Sequence, residues 1–121
     1  MQGVDSEGRR NGAIEHQRAR WVQVTGLAED GRRVGLVMMD HPENPRYPSH
    51  WRYIDDPGFT YINPSLVLAA PYDLAPRATL RLRYRILTRD GGLDAVAIAR
   101  RYAEYERGLD VPAWTGERSL V

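Results

Sequence analysis

The chain of 121 residues contains no cysteine and no lysine. The absence of cysteine excludes disulfides, thiolate nucleophiles and cysteine-based metal sites. All 17 basic residues are arginine, which we attribute to genome composition, and they are balanced by 16 acidic residues. Because the net charge is only +1, we expect no general attraction to nucleic acid or to an anionic membrane surface.

Long apolar runs are also missing. The longest, at residues 34–39, is far shorter than the roughly 20 residues that a membrane-spanning helix needs. The first 12 residues lack the apolar middle region of a secretory signal, so we expect a cytoplasmic protein as the sequence is written. No nucleophile elbow, phosphate loop or dinucleotide fingerprint is present, and we expect neither a cofactor nor a metal.

Alternating and aliphatic stretches predict a mainly β protein. Trp21 and Gln23 alternate with Val22 and Val24, and the aliphatic run at 34–39 is typical of a buried central strand. A DDPG turn joins two further stretches rich in aromatic and branched residues. The predicted strands are residues 13–25, 34–39, 51–54, 59–63 and 80–87.

The last predicted strand has the clearest alternation. One side carries only apolar or aromatic residues and the other carries arginines and one leucine, which predicts one buried and one wet face. The predicted buried side is Leu80, Leu82, Tyr84 and Ile86, and the wet side is Arg81, Arg83, Arg85 and Leu87. We favour a solvated face over a nucleic-acid surface for these arginines because the chain as a whole is close to neutral.

One helix follows, with Asp94 as its N-cap and Gly108 at its C-terminal end. Its predicted buried stripe consists of Ile98, Tyr102 and Tyr105. We therefore predict one domain over residues 1–121, an antiparallel β-sandwich with one C-terminal helix, in which 1–12 and 110–121 are loosely ordered.

The segment DHPENPRYPSHW, residues 40–51, is the most unusual stretch. Pro42, Pro45 and Pro48 are spaced by one polyproline turn, so their rings share one side if the segment is extended. Spacing alone favours a stiff crossover between strands. Two histidines and Asp40 formally resemble a metal-binding set, but their spacing fits no compact ligand pattern, and we favour structural roles.

Aromatic residues cluster around the DDPG turn. Trp51, Tyr53, Phe59 and Tyr61 lie beside polar residues, a combination that sugar-binding surfaces use. Aromatic side chains on strands are more often part of the core. The sequence leaves both interpretations open.

Four segments, RARWVQVTG, VGLVMMDHPENPRYPSHW, FTYINPSLVL and LRLRYRILTRDG, resemble in order the C-terminal half of an uncharacterised bacterial family named PmoA or methane oxygenase PmoA. The resemblance spans about residues 18–105. It implies a β-sandwich of the galactose-mutarotase-like type and, by association, a carbohydrate-related role. Because such proteins are longer, it also implies a C-terminal portion of a larger domain. Its uncovered strands favour self-association or a companion chain.

The resemblance also implies a binding site for a carbohydrate or another small polar ligand, with the proline segment folded across the mouth of the sandwich. His41 is the expected general acid or base, with Asp40 as its catalytic partner. The alternatives are a structural or interaction module without a ligand and, more distantly, an oxygenase. The expected ligand-binding residues are Asn44, Arg46, His50, Trp51 and Asn63.

Overall fold

The structure, a computed structural model, describes residues 1–108. The predicted loose segment at 110–121 lies outside the described residues. In the described part, six strands and a short 3-10 helix precede one α-helix. The elements are β1 (Gln2–Asp5), the 3-10 helix (Asn11–Ile14), β2 (Trp21–Leu27), β3 (Arg33–Asp40), β4 (His50–Asp56), β5 (Phe59–Ser65), β6 (Tyr84–Asp90) and α1 (Ala95–Glu106).

The strands form two antiparallel sheets. Four strands make the larger sheet, in the order β1, β2, β3, β6, and β4 pairs with β5 in a separate hairpin. The prediction of a mainly β, antiparallel fold with a C-terminal helix is confirmed. The galactose-mutarotase-like type stays a prediction. No helix within residues 1–108 is both long and apolar enough to cross a membrane.

Strands β2 and β3 form a wall between two hydrophobic clusters. Alternate residues of both strands face α1 on one side and the β4–β5 hairpin on the other, which confirms the alternation and the central position of β3. The α1-side cluster contains Trp21, Val37, Met39, Ile98, Tyr102 and Tyr105. The hairpin-side cluster contains Ile14, Ala19, Val22, Trp51 and Tyr53, with Val24, Met38 and Ile62 packed against it.

Helix α1 is fixed at its start as predicted. The Asp94 carboxylate accepts a hydrogen bond of 2.8 Å from the backbone N–H of Ala97, which satisfies one free N–H of the first turn. Leu93, the residue before Asp94, is bonded to β2 through the side-chain amide of Gln23. This amide donates to Leu93 O and accepts from Leu93 N, at 2.8 Å each. Gly108 follows the helix with a φ of 76°, in the left-handed region that glycine tolerates.

The N-terminal segments differ from the prediction. Residues 13–20 are not a strand that continues β2. Instead they run beside β4, where His16 N donates to Trp51 O at 2.7 Å and Trp51 N donates to Gln17 O at 3.0 Å. No strand was predicted within residues 1–12, yet Gln2–Asp5 form β1 at the edge of the larger sheet. The buried Asp5 carboxylate orders the turn after β1 by accepting hydrogen bonds from Glu7 N and Arg9 N.

Strand β6 begins and ends later than predicted, and the side predicted to be wet is the one that packs on α1. It begins at Tyr84 because β3, its only partner among the described residues, ends at Asp40. The predicted wet side faces α1, where Leu87 packs against the α1-side cluster and the Arg85 guanidinium lies 4.6 Å from the Tyr105 ring centre. Ile86, on the predicted buried side, is 36% exposed.

Candidate functional site

The proline segment folds as two consecutive turns. Asn44 N donates to His41 O at 2.9 Å, and Tyr47 N donates to Asn44 O at 3.2 Å. Arg46 has a φ of 62°, and the Tyr47–Pro48 peptide bond is cis. The segment is therefore not a polyproline helix, and the three rings do not share one side in the way that an extended chain requires. It carries the chain from β3 in the larger sheet to β4 in the hairpin.

Asp40 fastens both ends of the proline segment. One oxygen of its buried carboxylate accepts from Asn44 Nδ2 at 2.7 Å, and the other accepts from Ser49 N at 2.8 Å. Its backbone carbonyl accepts from the Tyr102 hydroxyl of α1 at 2.9 Å. The carboxylate is thus occupied in the interior, where a ligand outside the protein does not reach it.

Asn44 takes the place of a missing strand neighbour. Its side-chain oxygen accepts from Arg83 N at 2.8 Å, and its amide nitrogen donates to Arg83 O at 2.7 Å. These two bonds continue the ladder between β3 and β6 by one step beyond the pair Asp40 and Tyr84. The hydrogen bonds of the Asn44 side chain are thus all made to other parts of the fold.

His41 also points inward. Its side chain is packed edge-on against the Tyr105 ring, with 4.9 Å between ring centres, and its Nδ1 accepts from Glu43 N at 3.0 Å. The expectation that His41, Asn44 and Arg46 are displayed together on an outer rim does not match this geometry. The physical reason is that the turns of the segment cover the end of the α1-side cluster, so that their polar groups bond to each other and to β6.

Two other expected binding residues lie elsewhere. Trp51 is fully buried in the hairpin-side cluster, and its indole N–H donates to Ala19 O at 2.8 Å. Asn63 is exposed on β5, opposite Arg52. Neither lines the pocket that the outer side of the proline segment forms.

That pocket has a volume of about 380 Å³ and lies between the proline segment and the turn that follows β5. It brings together Arg46 and His50 from the predicted set, and it adds Arg18, which an isolated bridge places beside His50. Among the described residues, no acidic side chain lines it. The lining residues are Arg18, Arg46, Ser49, His50, Ser65, Leu66, Ala69 and Ala70.

The two arginines of the pocket bind backbone carbonyls. Arg18 donates from Nε to Pro48 O at 2.9 Å and from Nη2 to Tyr47 O at 3.1 Å. Arg46 donates to the carbonyls of Leu66, Ala70 and Pro71, at 3.0, 2.6 and 2.6 Å. Within residues 1–108, neither guanidinium forms an ion pair with a carboxylate. Neither cation is therefore paired with an opposite charge in the part of the chain that the structure describes.

The surroundings of His50 disfavour a positive charge on its imidazole ring. Burial lowers the pKa of His50, and the positive charges of Arg18 and His16 lower this pKa further. Neutral imidazole is consequently favoured at His50 over the imidazolium form. Within the described residues, no group of three or more acidic or histidine side chains is arranged to hold a metal ion.

Arg18, Ser49 and Ser65 are absent from the set predicted from the sequence. Arg18 reaches backbone atoms 28 to 30 residues further along the chain, a separation over which no local pattern indicates contact. The two serines carry no motif. The only available signal for Arg18 was its place in the alternating stretch before Trp21, which predicted a strand instead.

Comparison with known proteins assigns a family but no activity. A family model described as DUF6807, a family of unknown function, matches residues 1–103. The resemblance to the PmoA family is therefore wrong as a family assignment, and the family match gives no support to the oxygenase alternative that came from its name. No curated protein matches the chain, and no solved structure does.

Proposed function

The chain belongs to DUF6807, a family of unknown function, and we propose that it is a binding domain for a small acidic sugar. The binding site is the pocket between the proline segment and residues 66–70. The observation that carries the proposal is that two arginine side chains without a carboxylate partner among residues 1–108 meet at this one pocket.

Charge selects the class of ligand. A carboxylate on the ligand supplies the negative charge that Arg18 and Arg46 lack, and charge-assisted hydrogen bonds are stronger than neutral ones. His50 and the two serine hydroxyls add neutral hydrogen-bonding groups at the same pocket. A neutral ligand gains only these weaker contacts.

The remaining lining suits a sugar ring. Leu66, Ala69 and Ala70 present apolar surface, and pockets that bind small molecules combine such surface with a few directional polar groups. The volume of about 380 Å³ lies within the usual range for small ligands. A uronic acid offers a carboxylate, hydroxyl groups and an apolar ring face at once.

Contacts within the protein hold the pocket wall in place. Arg46 ties the proline segment to three carbonyls of the turn after β5, and its guanidinium lies 5.2 Å from the centre of the Tyr72 ring. Ordering of this kind reduces the entropy that binding removes. We propose binding without a reaction, because Asp40 and His41 do not line this pocket.

The experiment is an NMR titration of the full chain with D-glucuronate, with D-glucose as the neutral sugar. We expect saturable shifts at His50, Ser49 and Ser65 with glucuronate, a rise in the pKa of His50, and weaker binding at high salt. Arg18→Gln should weaken binding by about tenfold or more, since it removes one of the two cations. Arg100→Gln, an equal charge change on the exposed side of α1, should leave it unchanged.

The same titration can instead support the alternative of a structural module without a ligand, in which the proline segment only connects the two sheets. That alternative is supported by the inward bonds of Asp40 and Asn44. It predicts no saturable shift with either sugar. Equal loss of binding in the Arg18 and Arg100 variants would likewise contradict a specific site, because it indicates attraction by overall charge.

A further inference from the structure

The β4–β5 hairpin covers only half of the larger sheet. Its Trp51, Tyr53 and Ile62 pack over the β1 and β2 side, where Tyr53 also lies directly above Gly3. Over β6, the start of β3 and the end of β2, the same face is open as a groove of about 820 Å³, with Thr60 of β5 at its rim. The groove is lined mainly by aliphatic side chains and threonines. These include Val24, Leu27, Val34, Leu36 and Thr88.

This open face carries apolar side chains of the kind that are usually buried. Ile86 lies opposite Met38 in the register, on the side that faces the hairpin layer, and it is 36% exposed. Leu27 at the rim is 71% exposed. A contiguous apolar surface of this kind marks an interaction site more often than a solvated face.

Strand β6 has a free hydrogen-bonding edge. Gly91 N donates to Arg33 O, so the odd-numbered residues of β6 bond inward to β3. The N–H and C=O groups of Tyr84, Ile86 and Thr88 therefore point away from β3. Within residues 1–108 no further strand pairs with this edge.

Within the described residues, the edge of β5 that faces away from β4 is unpaired as well. The segment at 16–17 takes the outer edge of β4 through Trp51, so the even-numbered residues of β4 bond to β5. It follows that the backbone groups of Thr60 and Ile62 point outward, beside the open groove. Pro64 falls on the same outward side, where its missing N–H removes no ladder bond.

We propose that a second copy of this chain covers the open face. In this dimer the two copies stack face to face about a twofold axis. Strands β3 and β6 of one copy then pack against strands β3 and β6 of the other copy. The free edge of β6 from one copy then lies beside the free edge of β5 from the other. Each layer becomes a continuous sheet in the order β4, β5, β6, β3, β2, β1. In each layer, β4 and β5 come from one copy and the other four strands come from its partner. The two open faces and all four free edges are used.

Charge favours this pairing over the simpler pairing of β6 with itself. Antiparallel β6 strands from two copies bring Arg85 and Arg89 of each close to those of the other, and like charges across a ladder are unfavourable. Strand β5 carries no charged residue, and the exposed Asp55 and Asp56 lie one strand away on β4. The basic β6 edge therefore meets a neutral strand next to an acidic one.

The experiment is sedimentation equilibrium of the full chain from about 1 µM to about 500 µM. We expect mass to rise with concentration to a limit of twice 13.8 kDa. Ile86→Glu should abolish the dimer, since it buries an unpaired charge, and Thr88→Pro should do so by removing an outward N–H. Val96→Glu, the same kind of change at an exposed position on α1, should leave the dimer intact.

The wild-type measurement decides even where a variant fails to fold. A single species of 13.8 kDa throughout the range overturns the proposal, and growth beyond a dimer indicates open-ended aggregation and overturns it too. Hydrogen exchange separates the predicted arrangement from any other dimer. Protection of the Ile62, Ile86 and Thr88 amides must increase with protein concentration, and a dimer in which they stay unprotected contradicts the pairing.

Discussion

The side chain of Asn44 and the backbone of Arg83 form a two-bond pair, with both distances between 2.7 and 2.8 Å. The same amide donates to the buried Asp40 carboxylate. A side chain thus extends a β ladder into a region where the backbone of the proline segment has turned away.

Asn44→Ala should lower the free energy of unfolding by about 1–3 kcal/mol, because it removes a hydrogen bond to the buried Asp40 carboxylate and both bonds to the partly buried backbone of Arg83. Urea unfolding measures the loss. The control is Asn63→Ala, which removes an exposed amide from β5 and should change stability by less than about 0.5 kcal/mol. Equal effects of the two changes would show that the Asn44 bonds contribute nothing specific.

Two neighbouring tyrosines of α1 should respond oppositely to loss of their hydroxyls. The Tyr102 hydroxyl donates to Asp40 O and lies 2.6 Å from the Tyr47 hydroxyl, whereas the buried Tyr105 hydroxyl makes no hydrogen bond with the described residues. Tyr102→Phe should cost about 1–2 kcal/mol, and Tyr105→Phe should be neutral or stabilising. Thermal unfolding of both variants tests this. A larger loss at Tyr105 contradicts it.

His50 should make stability depend on pH below neutrality. Its pKa is lowered in the folded state by burial, Arg18 and His16, so the unfolded chain binds the proton more readily. Stability should therefore fall as pH drops below about 6.5, the ordinary histidine value, and level off below the folded-state pKa. His50→Gln should flatten this part of the curve. Urea midpoints between about pH 5 and pH 7.5 provide the measurement, and a variant with the wild-type slope would rule out His50 as its source.

Gly35 is required by a close approach of two backbones. A Cβ atom at this position meets the Gly92 Cα at 2.5 Å, and Gly92 itself has a φ of 78°. Gly35→Ala should therefore destabilise the protein by about 1–3 kcal/mol, since backbone must move. Gly26→Ala is the control on the adjacent strand, because its Cβ meets nothing within 4 Å. Circular dichroism melts of the two variants should differ, and equal melting temperatures contradict the stated constraint.

Local sequence patterns predicted the secondary-structure elements better than they predicted which elements pack against each other. The alternation around Val22 and the cap at Asp94 depend on neighbours in sequence, and both were correct. The alternation in β6 correctly indicated two different faces. It carried no information that α1 packs on the arginine side, because that contact depends on the path of the chain after Gly92.

The candidate site was less predictable for the same reason. The polar residues of the proline segment were noticed, but Asp40 and Asn44 bond inward to partners that the fold brings in from β6 and from the start of β4. Arg18 joins the pocket through carbonyls far along the chain. A residue type indicates which chemistry is available, and the fold decides whether that chemistry faces a ligand or the interior.

The wall formed by β2 and β3 has a consequence for how this family can vary. Residues 37–39 face the two clusters in turn, so none of the three is turned wholly toward solvent. A larger side chain at any of them presses on the helix or on the hairpin, and compensation must come from the layer on that side. We therefore expect single substitutions to be tolerated best on the outer surface of α1 and at the tip of the hairpin, and substitutions in the wall to require matching changes in the layer that they contact.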